Sequence, residues 1–577
     1  MEEGSNAALK VSDVWFAHRV DVERERLLEE PISVLEGVSF ELGPKGFRAV
    51  LVGSNGVGKT TLLRLCAGVG TLSRGSIDIH GLSWSDRRAL TPRIALVGAL
   101  NWGNSMSASV EDIVRGAEER AMSSEQLKEL RRLLRLDRLI ARKAMTDALS
   151  DGERRCVQLF VALSPPSVEI AFIDEALTEL DVTVRAALYK WLRRSGLSIL
   201  MATHVFDGLD NWPTHVVVLE KKKARVIDYT SDMNVYETAR EALHCEEIEI
   251  FRGGGGSEEV VVEVKDLSWS YDATAKRPAV NGASFRIGKG RRVVLCGANG
   301  SSKSTTLALV AGFRVAPFAA ADAIRVLGED PRCENLRAHG RVAFLGSAFK
   351  SGLDDLPARA RNVTFEDMLK SAKGDEARYD CLMELLEVQR HWRPATASAG
   401  QTTRMQLVLQ LATRADLYLV DELTRDLDLV ARDKILDYLK RQSIDYNATI
   451  VYATHIFQGL DDWATDLLHA RSGTIAHHLD LLAKSPETPL YDRVVSWLEE
   501  DDEHFEDLRS DLVKTQLRAL RVSPEIPVGW ASRDNTVEAS YGSHAWSAKQ
   551  AHGIYADQHS TTRQKFEALY LAGGTRR

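Results

Sequence analysis

Short apolar runs, each ended by a polar or glycine-containing turn, recur along the chain and predict buried β-strands. In the first half these runs lie at 49–52, 94–98, 168–173 and 198–203. Residues 9–18 alternate between apolar and polar side chains instead, and this pattern predicts an edge strand. Because segments of helical pattern separate the apolar runs, the sequence indicates an α/β fold.

Three further segments carry a different pattern. Residues 19–30 are densely charged, which predicts a solvated loop or a short helix before a strand at 38–42. Leucine, arginine and glutamate dominate 107–142 and predict helices. A polar turn that contains Gly152 then opens into an amphipathic helix. These helices are expected to form an insert between two strands of the sheet.

The same order of segments occurs twice. Lys303 lies 244 residues after Lys59 (303 − 59), and His455 lies 251 residues after His204 (455 − 204). An internal duplication explains these similar offsets. We therefore predict a first domain, a flexible glycine-rich linker, a second domain, and an acidic helix followed by an aromatic-containing tail. Their predicted ranges are 1–252, 253–257, 258–488 and 489–577.

Length and composition narrow the class of protein. A chain of 577 residues is too long for one hydrophobic core, and 44% hydrophobic and 27% charged residues are ordinary for a globular protein. The net charge of −8 gives no electrostatic reason to expect nucleic-acid binding. Six cysteines without metal-ligand spacing indicate reduced thiols, and no apolar run approaches the roughly 20 residues of a membrane span. We expect a soluble protein of the cytoplasm or the nucleus, without a secretion signal.

The first strong chemical motif is Gly-x-x-x-x-Gly-Lys-Thr at 53–60, directly after the apolar run at 49–52. A strand, a tight glycine-rich turn and the start of a helix together point backbone N–H groups into one hollow, where they bind a triphosphate. In this arrangement Lys59 bridges the β- and γ-phosphates, and Thr60 offers its hydroxyl to Mg²⁺. A variant of the motif stands at 297–304, with Ser302 in place of the glycine before the lysine and Ser304 as its last residue.

Two adjacent carboxylates follow the apolar strand at 168–173. Asp174 and Glu175 stand at its carboxyl end, where open α/β sheets bind ligands. In that position Asp174 can hold Mg²⁺ through water, and Glu175 can polarise the attacking water. His204 follows the last apolar run of the first half. The second half supplies the same set as Asp421, Glu422 and His455.

Each half thus holds a phosphate loop, a helical insert, a Ser-x-Gly signature (150–152 and 398–400), a strand ending in Asp-Glu and a strand ending in His. This ordered set resembles the ATP-binding cassette (ABC) ATPases, over nearly all of 9–250 and again beyond the linker. The resemblance implies two P-loop NTPase cassettes, each with a mixed-sheet core and a helical subdomain. It also implies that the cassettes close head to tail and hydrolyse ATP with Mg²⁺.

The resemblance further implies two composite sites, in which the phosphate loop of one cassette meets the signature of the other. Catalysis is expected from Glu175, Glu422, His204 and His455, and Mg²⁺ ligation from Thr60, Asp174, Ser304 and Asp421. The first ATP site is expected to use Gly53, Ser54, Asn55, Gly56, Val57, Gly58, Lys59, Thr60 and Thr61, closed by Ser398, Gly400 and Gln401. The second is expected to use Gly297, Ala298, Asn299, Gly300, Ser301, Ser302, Lys303, Ser304 and Thr305, closed by Ser150, Gly152 and Glu153.

The nucleotide base often stacks on an aromatic side chain near the first strand of such a cassette. Tyr271 is the candidate for this contact in the second half. In the first half His18 or Phe16 can serve, although Trp15 and Phe16 can equally well be interior residues.

Three departures from the family pattern concern the sites. Ser302 stands where a glycine precedes the lysine, and a Cβ there is costly if the backbone needs a positive φ, so we expect the second site to be the weaker hydrolase. The third signature position is Asp151 or Ala399 rather than glycine, and Asp151 brings a negative charge near a phosphate. Ala99 and Ser347 stand where a glutamine usually contacts Mg²⁺ and relays to a transmembrane domain, so neither half is expected to drive a conventional transporter.

Both halves share Thr-His-[Val/Ile]-Phe-x-Gly-Leu-Asp-x-Trp, at 203–212 and 454–463. With Leu-Ser-Asp-Gly at 149–152, this pattern resembles a small soluble ABC branch. That branch includes a fungal ATPase associated with the carbon-catabolite-repressor deadenylase and transcription complex, and plant single-cassette relatives. Because this chain resembles two such cassettes fused, we expect a monomer whose cassettes pair with each other.

The expected function is a soluble tandem ATPase that acts on a protein or ribonucleoprotein assembly, such as one in transcription or mRNA regulation. One alternative is the ATPase subunit of a transporter with separate membrane subunits. Another is an ABC-type translation factor, although those carry a long charged helical linker and the join here is short and rich in glycine. A nucleotide-binding scaffold with little turnover is less consistent with the intact Glu175 and Glu422.

Overall fold

The computed structural model of the chain describes residues 7–21, 26–98, 108–121, 125–243, 259–271, 278–314, 322–333, 336, 340–346, 363–372, 375–422, 427–483 and 488–501. We call 7–243 the first cassette and 259–501 the second. The predicted linker, the residues Ala99 and Ser347, and the aromatic-containing tail beyond 501 lie outside the described residues. The interpretations placed on them, and the predicted domain boundaries, therefore stay predictions.

The first cassette contains an antiparallel sheet, a central sheet and helices. Its strands are β1 (Leu9–Asp21), β2 (Arg26–Leu42), β3 (Arg48–Val52), β4 (Arg74–Ile79), β5 (Leu82–Ser83), β6 (Ile94–Val97), β7 (Ile170–Asp174), β8 (Ser198–Ala202), β9 (His215–Glu220) and β10 (Lys223–Asp228). Its helices are α1 (Lys59–Cys66), α2 (Arg87–Leu90), α3 (Val110–Ala121), α4 (Glu125–Leu133), α5 (Leu136–Ala141), α6 (Asp151–Leu163), α7 (Val182–Arg194) and α8 (Val235–Ala242), with 3₁₀ turns at Thr91–Arg93 and Thr146–Ala148.

The second cassette repeats this arrangement. Its strands are β11 (Val260–Trp269), β12 (Val280–Gly288), β13 (Arg292–Cys296), β14 (Ile324–Val326), β15 (Val342–Leu345), β16 (Leu417–Asp421), β17 (Thr449–Ala453), β18 (Asp466–Arg471) and β19 (Thr474–Asp480). Its helices are α9 (Lys303–Val310), α10 (Phe365–Ser371), α11 (Glu376–Leu385), α12 (Ala399–Leu411), α13 (Leu429–Tyr446) and α14 (490–501).

The two central sheets have the same topology. Strand order is β10-β9-β3-β8-β7-β6 in the first cassette and β19-β18-β13-β17-β16-β15 in the second. Neighbouring strands are parallel except for the outermost pairs β9–β10 and β18–β19, so each central sheet is mixed. The carboxyl ends of the parallel strands therefore meet at one edge of each sheet, where the predicted site residues follow the strands.

The apolar runs are strands because both faces of each central sheet are covered. Along β3, Ala49 and Leu51 pack in a core shared with the antiparallel sheet, whereas Val50 and Val52 pack in a core shared with the helices of the insert. Successive side chains of a strand point to opposite faces, so a strand between two cores needs apolar residues at every position. The buried strands predicted from the sequence are thus confirmed, and with them the α/β class.

Two predictions about the beginning of the chain were wrong. Strand β1 is not an edge strand, because it pairs with both β2 and β4. The charged segment at 19–30 is neither a loop nor a short helix where it is described, since 19–21 end β1 and 26–30 begin β2. The ladder continues through it, with Val20 opposite Leu27 and Asp21 opposite Arg26. Backbone pairing with the neighbouring strand allows a strand there despite the polarity of the sequence.

Helix α14 begins where the predicted acidic helix was placed. Leu490 and Val494 lie in the core of the second cassette, and the ring of Trp497 stacks on His469 and His477 of strands β18 and β19. Across the described part of the chain, no helix combines the length and the apolar character that crossing a membrane requires.

Candidate nucleotide-binding sites

The first phosphate loop joins β3 to α1, and two glycines give it its shape. A Cβ on Gly53 would lie 2.5 Å from the backbone oxygen of Leu219, so a side chain there is excluded. Gly58, the residue before α1, has φ 107°, which glycine adopts readily. The loop can therefore turn tightly enough to direct its N–H groups and the start of α1 toward one point.

The lysine of this loop is held inside it. Lys59 is only 6% exposed, and its Nζ donates to the backbone oxygens of Gly53 (2.6 Å) and Ser54 (3.0 Å). Burial lowers the pKa of Lys59, while the nearby carboxylates of Glu175 and Asp174 oppose that shift. A buried ammonium in a glycine-rich turn at the start of a helix is the electrostatic environment that a polyphosphate needs.

The second phosphate loop, between β13 and α9, repeats this geometry with one difference. Lys303 is buried and its Nζ donates to the backbone oxygens of Gly297 (2.8 Å) and Ala298 (3.2 Å). Ser302 precedes the lysine with φ 79°, so the left-handed turn is kept with a residue that has a Cβ. The Ser302 hydroxyl donates to the backbone oxygen of Ala279.

Each site offers a hydroxyl and a buried carboxylate to a divalent cation. The Thr60 hydroxyl bonds to Asp174, whose Oδ1 is buried without a hydrogen-bond partner. Ser304 Oγ donates to Asp421 Oδ1 at 2.9 Å. Burial raises the pKa of Asp174, and burial with the adjacent Glu422 raises the pKa of Asp421 to about 6. Hard oxygen donors with an uncompensated buried charge fit Mg²⁺, which would be held by these hydroxyls and carboxylates.

A glutamate and a histidine lie next to each other beyond each acidic strand. His204 Nε2 is 3.1 Å from Glu175 Oε2, and His455 Nδ1 is 3.2 Å from Glu422 Oε1. Burial acts to raise the pKa of Glu175, but the hydrogen bond and charge of His204 outweigh it, so the net pKa is lowered. Glu175 is therefore ionised at neutral pH and can accept a proton from a water molecule.

Two aspartates that were not predicted link the cassettes. The backbone N–H of Asn55 in the first phosphate loop donates to Asp428 Oδ2 (3.0 Å), and that of Asn299 in the second donates to Asp181 Oδ2 (3.2 Å). Each aspartate caps the helix that follows its acidic strand. Asp181 and Asp428 each lie seven residues after the Mg²⁺-binding aspartate (181 − 174 and 428 − 421), and this repeated spacing was the signal that could have revealed them.

The serines of the signatures start helices. Ser150 caps α6 and Ser398 caps α12, each in a capping box with the residue three positions later, Glu153 or Gln401. The helix starts therefore direct free N–H groups outward from the signatures, which suits an anion. A Cβ on Gly152 would lie 2.6 Å from the backbone oxygen of Glu179, so the first signature requires a glycine at this place.

The first signature faces the second phosphate loop. A cleft of ≈ 1040 Å³ between the cassettes is lined on one side by Ser150, Asp151, Gly152 and Glu179 and on the other by Tyr271, Asn299, Gly300, Ser302, Lys303, Ser304, Thr305, Glu422 and His455. In the second cassette Arg404 of α12 bonds to Asp428 at 2.9 Å, and Asp428 in turn accepts from the backbone N–H of Asn55 in the first phosphate loop. The structure thus brings the first signature to the second phosphate loop, whereas the helix of the second signature is linked to the first phosphate loop through Arg404 and Asp428.

The remaining predicted ATP contacts occupy the same loops and helix starts. These are Ser54, Gly56, Val57 and Thr61 in the first cassette, Ser301 in the second, and Gly400 in α12. Tyr271 is 63% exposed at the edge of the second site, and its hydroxyl is 2.7 Å from Thr305 Oγ1. His18 is half-buried on β1, opposite Ile32 in register, with its ring edge-on to Phe16 at 5.1 Å.

Taken together, the two phosphate loops, the paired carboxylates at the strand ends and the reciprocal contacts define a nucleotide hydrolase built from two cassettes. A family model described as ABC transporter matches residues 35–178 and 280–425, once in each cassette. The chain belongs to this family. It is an ABC-type ATP hydrolase that uses ATP and Mg²⁺.

Two of its relatives correspond to about one half of the chain. ABC transporter I family member 21 of Arabidopsis thaliana is 31% identical over 245 residues, which are 41% of this chain and 85% of that protein. CCR4-associated factor 16 of Saccharomyces cerevisiae is 28% identical over 289 residues, 48% of this chain and 96% of that protein. An ABC transporter ATP-binding protein of Methanosarcina acetivorans aligns over 558 residues at 24% identity, covering 81% of this chain and 84% of that protein.

Two solved structures share the fold over most of this chain. The structure named RNase-L Inhibitor has a TM-score of 0.60 at 18% identity and covers 81% of this chain and 91% of its own. A complex of archaeal ribosomal stalk protein and archaeal ribosome recycling factor gives a TM-score of 0.58, also at 18% identity, over 81% of this chain and 90% of its own. At this identity the likeness concerns the fold.

Proposed function

We propose that each ATP–Mg²⁺ lies between the phosphate loop of one cassette and the signature of the other. The observation that carries this arrangement is the reciprocal pair of bonds from Asn55 to Asp428 and from Asn299 to Asp181. Each bond places an aspartate of one cassette on the phosphate loop of the other. Because both halves of each site lie in one chain, the protein acts as a monomer.

In this proposal the roles follow from the chemistry of each group. Lys59 and Lys303 neutralise the β- and γ-phosphates, and the hydroxyl–carboxylate pairs hold Mg²⁺. Glu175 and Glu422 accept the proton of the attacking water, and the adjacent histidines contact these carboxylates and orient them. The N–H groups at the starts of α6 and α12 bind the γ-phosphate from the opposite side.

Changing the signature serines tests the pairing of cassettes. In a Glu175→Gln background only the second site turns over, and Ser150→Ala should slow it. In a Glu422→Gln background only the first site turns over, and Ser150→Ala should leave it unchanged. Ser398→Ala is the matched control with the same loss of a helix cap, and it should show the opposite pattern. If each serine affects the site of its own cassette instead, the composite arrangement is wrong.

We further propose that closing and opening of the cassettes acts on a protein or ribonucleoprotein assembly of the cytoplasm. The name of the yeast relative records an association with CCR4, and one of the similar folds is that of a ribosome recycling factor. These relatives support an assembly, rather than a small transported molecule, as the target. The ribosome is a second, narrower candidate that rests on the shared two-cassette fold.

An ATP-trapped protein can distinguish these targets. In a Glu175→Gln/Glu422→Gln double variant, bound ATP should persist and hold the cassettes closed on the target. With ATP present, the trapped protein should co-purify from native extract with a defined complex, and a Lys59→Ala/Lys303→Ala variant that cannot bind ATP should not. Co-sedimentation with ribosomal subunits would select the ribosome, whereas recovery of an integral membrane protein would favour a transporter subunit and contradict the proposal.

A further inference from the structure

The backbone beside each catalytic histidine is held by a side chain of the other cassette. Gln458 is 7% exposed and makes two bonds across the interface. Its Oε1 accepts from the backbone N–H of Phe206 at 2.6 Å, and its Nε2 donates to the backbone oxygen of His204 at 2.8 Å. One amide of the second cassette therefore holds the segment on both sides of residue 205 in the first.

The equivalent position of the first cassette is an aspartate. Asp207 and Gln458 stand four residues after Thr203 and Thr454 in the repeated motif. Asp207 Oδ2 accepts from the backbone N–H of Phe457 at 2.8 Å, which mirrors the acceptor half of the glutamine contact. Burial raises the pKa of Asp207 and the charge of Arg185 opposes that shift. In its described contacts Asp207 only accepts, so the donor half of the contact must come from another group.

A buried arginine supplies the missing donor. Arg185 Nη2 donates to the backbone oxygen of His455 at 3.2 Å and lies 3.9 Å from Asp207 Oδ2. The side chains of Arg185 and Asp207 are 0% and 3% exposed. Because a buried charge is costly unless it is paired, each of these side chains stabilises the charge of the other. Arg432 is the equivalent residue of the second cassette, since both arginines are the fourth residue of their helices. Arg432 donates to the backbone oxygens of Ile456 and Gln458, which belong to its own cassette.

Each cassette thus holds the backbone of the other cassette's histidine, but the two cassettes use different side chains to do so. An amide donates and accepts by itself, whereas a carboxylate needs an arginine for the donor. Two aspartates at these positions would leave the backbone oxygen of His204 without the Gln458 donor and would add a second buried charge. The difference between Asp207 and Gln458 therefore suits the pairing of two unlike cassettes.

We propose that Gln458 is a positioning residue for the first ATP site, and that Asp207 with Arg185 positions the second. Each holds the backbone of the histidine that contacts the catalytic glutamate, so that this pair is aligned only when the cassettes are docked. The inference rests on the proposed assignment of Glu175 with His204 and Glu422 with His455. It adds a dependence of each site on a side chain that touches neither nucleotide.

The pH dependence of a Gln458→Glu variant tests whether donation to the backbone oxygen of His204 matters for turnover. Site 1 is measured alone in a Glu422→Gln background. At pH 8 the introduced carboxylate cannot donate to His204, and turnover should fall at least fivefold while ATP affinity changes less than twofold. Near pH 6 and below, the protonated carboxyl can again donate and accept, so turnover should recover relative to the Gln458 parent at the same pH. Gln458→Met, which has neither function, should stay slow at every pH.

The ionisable groups around this position set the pH at which recovery occurs. Asp207 shares the cleft with Gln458, and Arg185, Arg432, Tyr189 and Tyr491 lie around Asp207. The same cleft is lined by the acidic residues Asp210, Glu237, Asp461, Asp462 and Asp492 and by the basic residues Arg240 and Lys440. Burial and the carboxylates favour the protonated form of the introduced group, and the basic side chains oppose it. The test therefore compares each variant with its parent over pH 5.5 to 8.5 rather than at one value.

Asp207→Leu provides the matched change on the other side. It keeps a similar volume but removes both the acceptor of the Phe457 N–H and the charge partner of Arg185, so it should slow site 2, measured in a Glu175→Gln background, more than site 1. If Gln458→Glu slows both sites equally and shows no recovery at low pH, Gln458 is only structural and the inference is wrong. If Glu175→Gln and Glu422→Gln themselves leave turnover unchanged, the proposed sites are wrong, which is a separate outcome.

Discussion

The two phosphate loops make the same turn with different residues. In the first cassette Gly58 precedes the lysine with φ 107°, and a Cβ there would lie 3.0 Å from side-chain atoms of Val34 and Leu35. In the second cassette Ser302 takes the equivalent place with φ 79°, and its hydroxyl donates to the backbone oxygen of Ala279. What the two loops share is the left-handed turn and not the residue that makes it.

The hydrogen bond of Ser302 reduces the difference expected between the two ATP sites. A non-glycine residue in a left-handed conformation costs about 1–3 kcal/mol. A hydrogen bond returns about 0.5–1.5 kcal/mol, and Ser302 has one that Gly58 lacks. This hydrogen bond therefore offsets part of the strain that the sequence alone indicates for the second loop. It also ties the Ser302 hydroxyl to the start of β12. We still expect the second site to be the slower one, by a smaller margin.

Removing each catalytic carboxylate should have the largest effect. Glu175→Gln and Glu422→Gln keep the side-chain volume but remove the group that accepts a proton from water, a contribution of roughly 10²–10⁴ in rate. We expect the altered site to lose at least tenfold in turnover while ATP still binds. Glu175→Gln should remove more of the total activity than Glu422→Gln, as measured by single-turnover hydrolysis alongside equilibrium ATP binding.

These two variants test separately the expected order of the two sites and the assignment of the glutamates as bases. If Glu422→Gln proves the more damaging, the expected order of the two sites is wrong. If both variants hydrolyse ATP at the parent rate, the glutamates do not act as bases and the site assignment fails.

Mg²⁺ binding at the second site should weaken in acid. The raised pKa of Asp421, about 6, means that this carboxyl is half protonated at that pH in the metal-free protein. Because Mg²⁺ binds the ionised form, its apparent affinity should fall about tenfold per pH unit below 6 and stay constant above it. Turnover of the second site, in a Glu175→Gln background, is titrated with Mg²⁺ at each pH.

Mg²⁺ binding to free ATP at each pH serves as the control for this titration, because it shows how much of the pH dependence belongs to the nucleotide. Burial also raises the pKa of Asp174, so the first site, measured in a Glu422→Gln background, should weaken in acid as well. Asp421→Asn should abolish the dependence at the second site together with tight Mg²⁺ binding. A second site whose Mg²⁺ affinity is flat down to pH 5 would show that Asp421 is ionised there without metal.

Exchanging the residues before the two lysines should change rates several-fold to tenfold. Gly58→Ser forces a side chain into a left-handed turn and against Val34 and Leu35, so ATP affinity or turnover at the first site should fall. Ser302→Gly relieves strain but loses the bond to Ala279, so the second site should improve by less than the first site worsens. Thermal unfolding of both variants separates a loss of stability from a loss of function. Opposite results would mean that the hydroxyl bond outweighs the strain.

How much could be predicted depended on how far apart the interacting residues are in the chain. The phosphate loops were predictable because strand, turn and helix start lie within about a dozen consecutive residues whose types follow from the turn. Asp428 was missed because its contact with Asn55 spans 373 residues and depends on how the cassettes dock. The charged strand segment at 19–30 was missed because its stability comes from pairing, and pairing is not visible in local polarity.

The third signature position should have the smallest effect. Asp151 lines the cleft of the second site, yet its side chain is 66% exposed and lies 3.3 Å from Arg154 Nη1. An exposed and paired charge is worth less than about 1 kcal/mol, so Asp151→Gly should raise ATP affinity at the second site by no more than about threefold. The gain should shrink as salt is added, because screening removes what remains of the repulsion.

The matched change at the first site is Ala399→Asp. The residue three positions later is Thr402 rather than an arginine, so the introduced carboxylate lacks the partner that Asp151 has in Arg154. Ala399→Asp should therefore lower ATP affinity at the first site by more than Asp151→Gly raises it at the second, and the loss should also diminish with salt. Equilibrium binding of ATP at two ionic strengths measures both. If neither change responds to salt, the signatures do not differ by charge, and the inequality of the two sites must come from the phosphate loops alone.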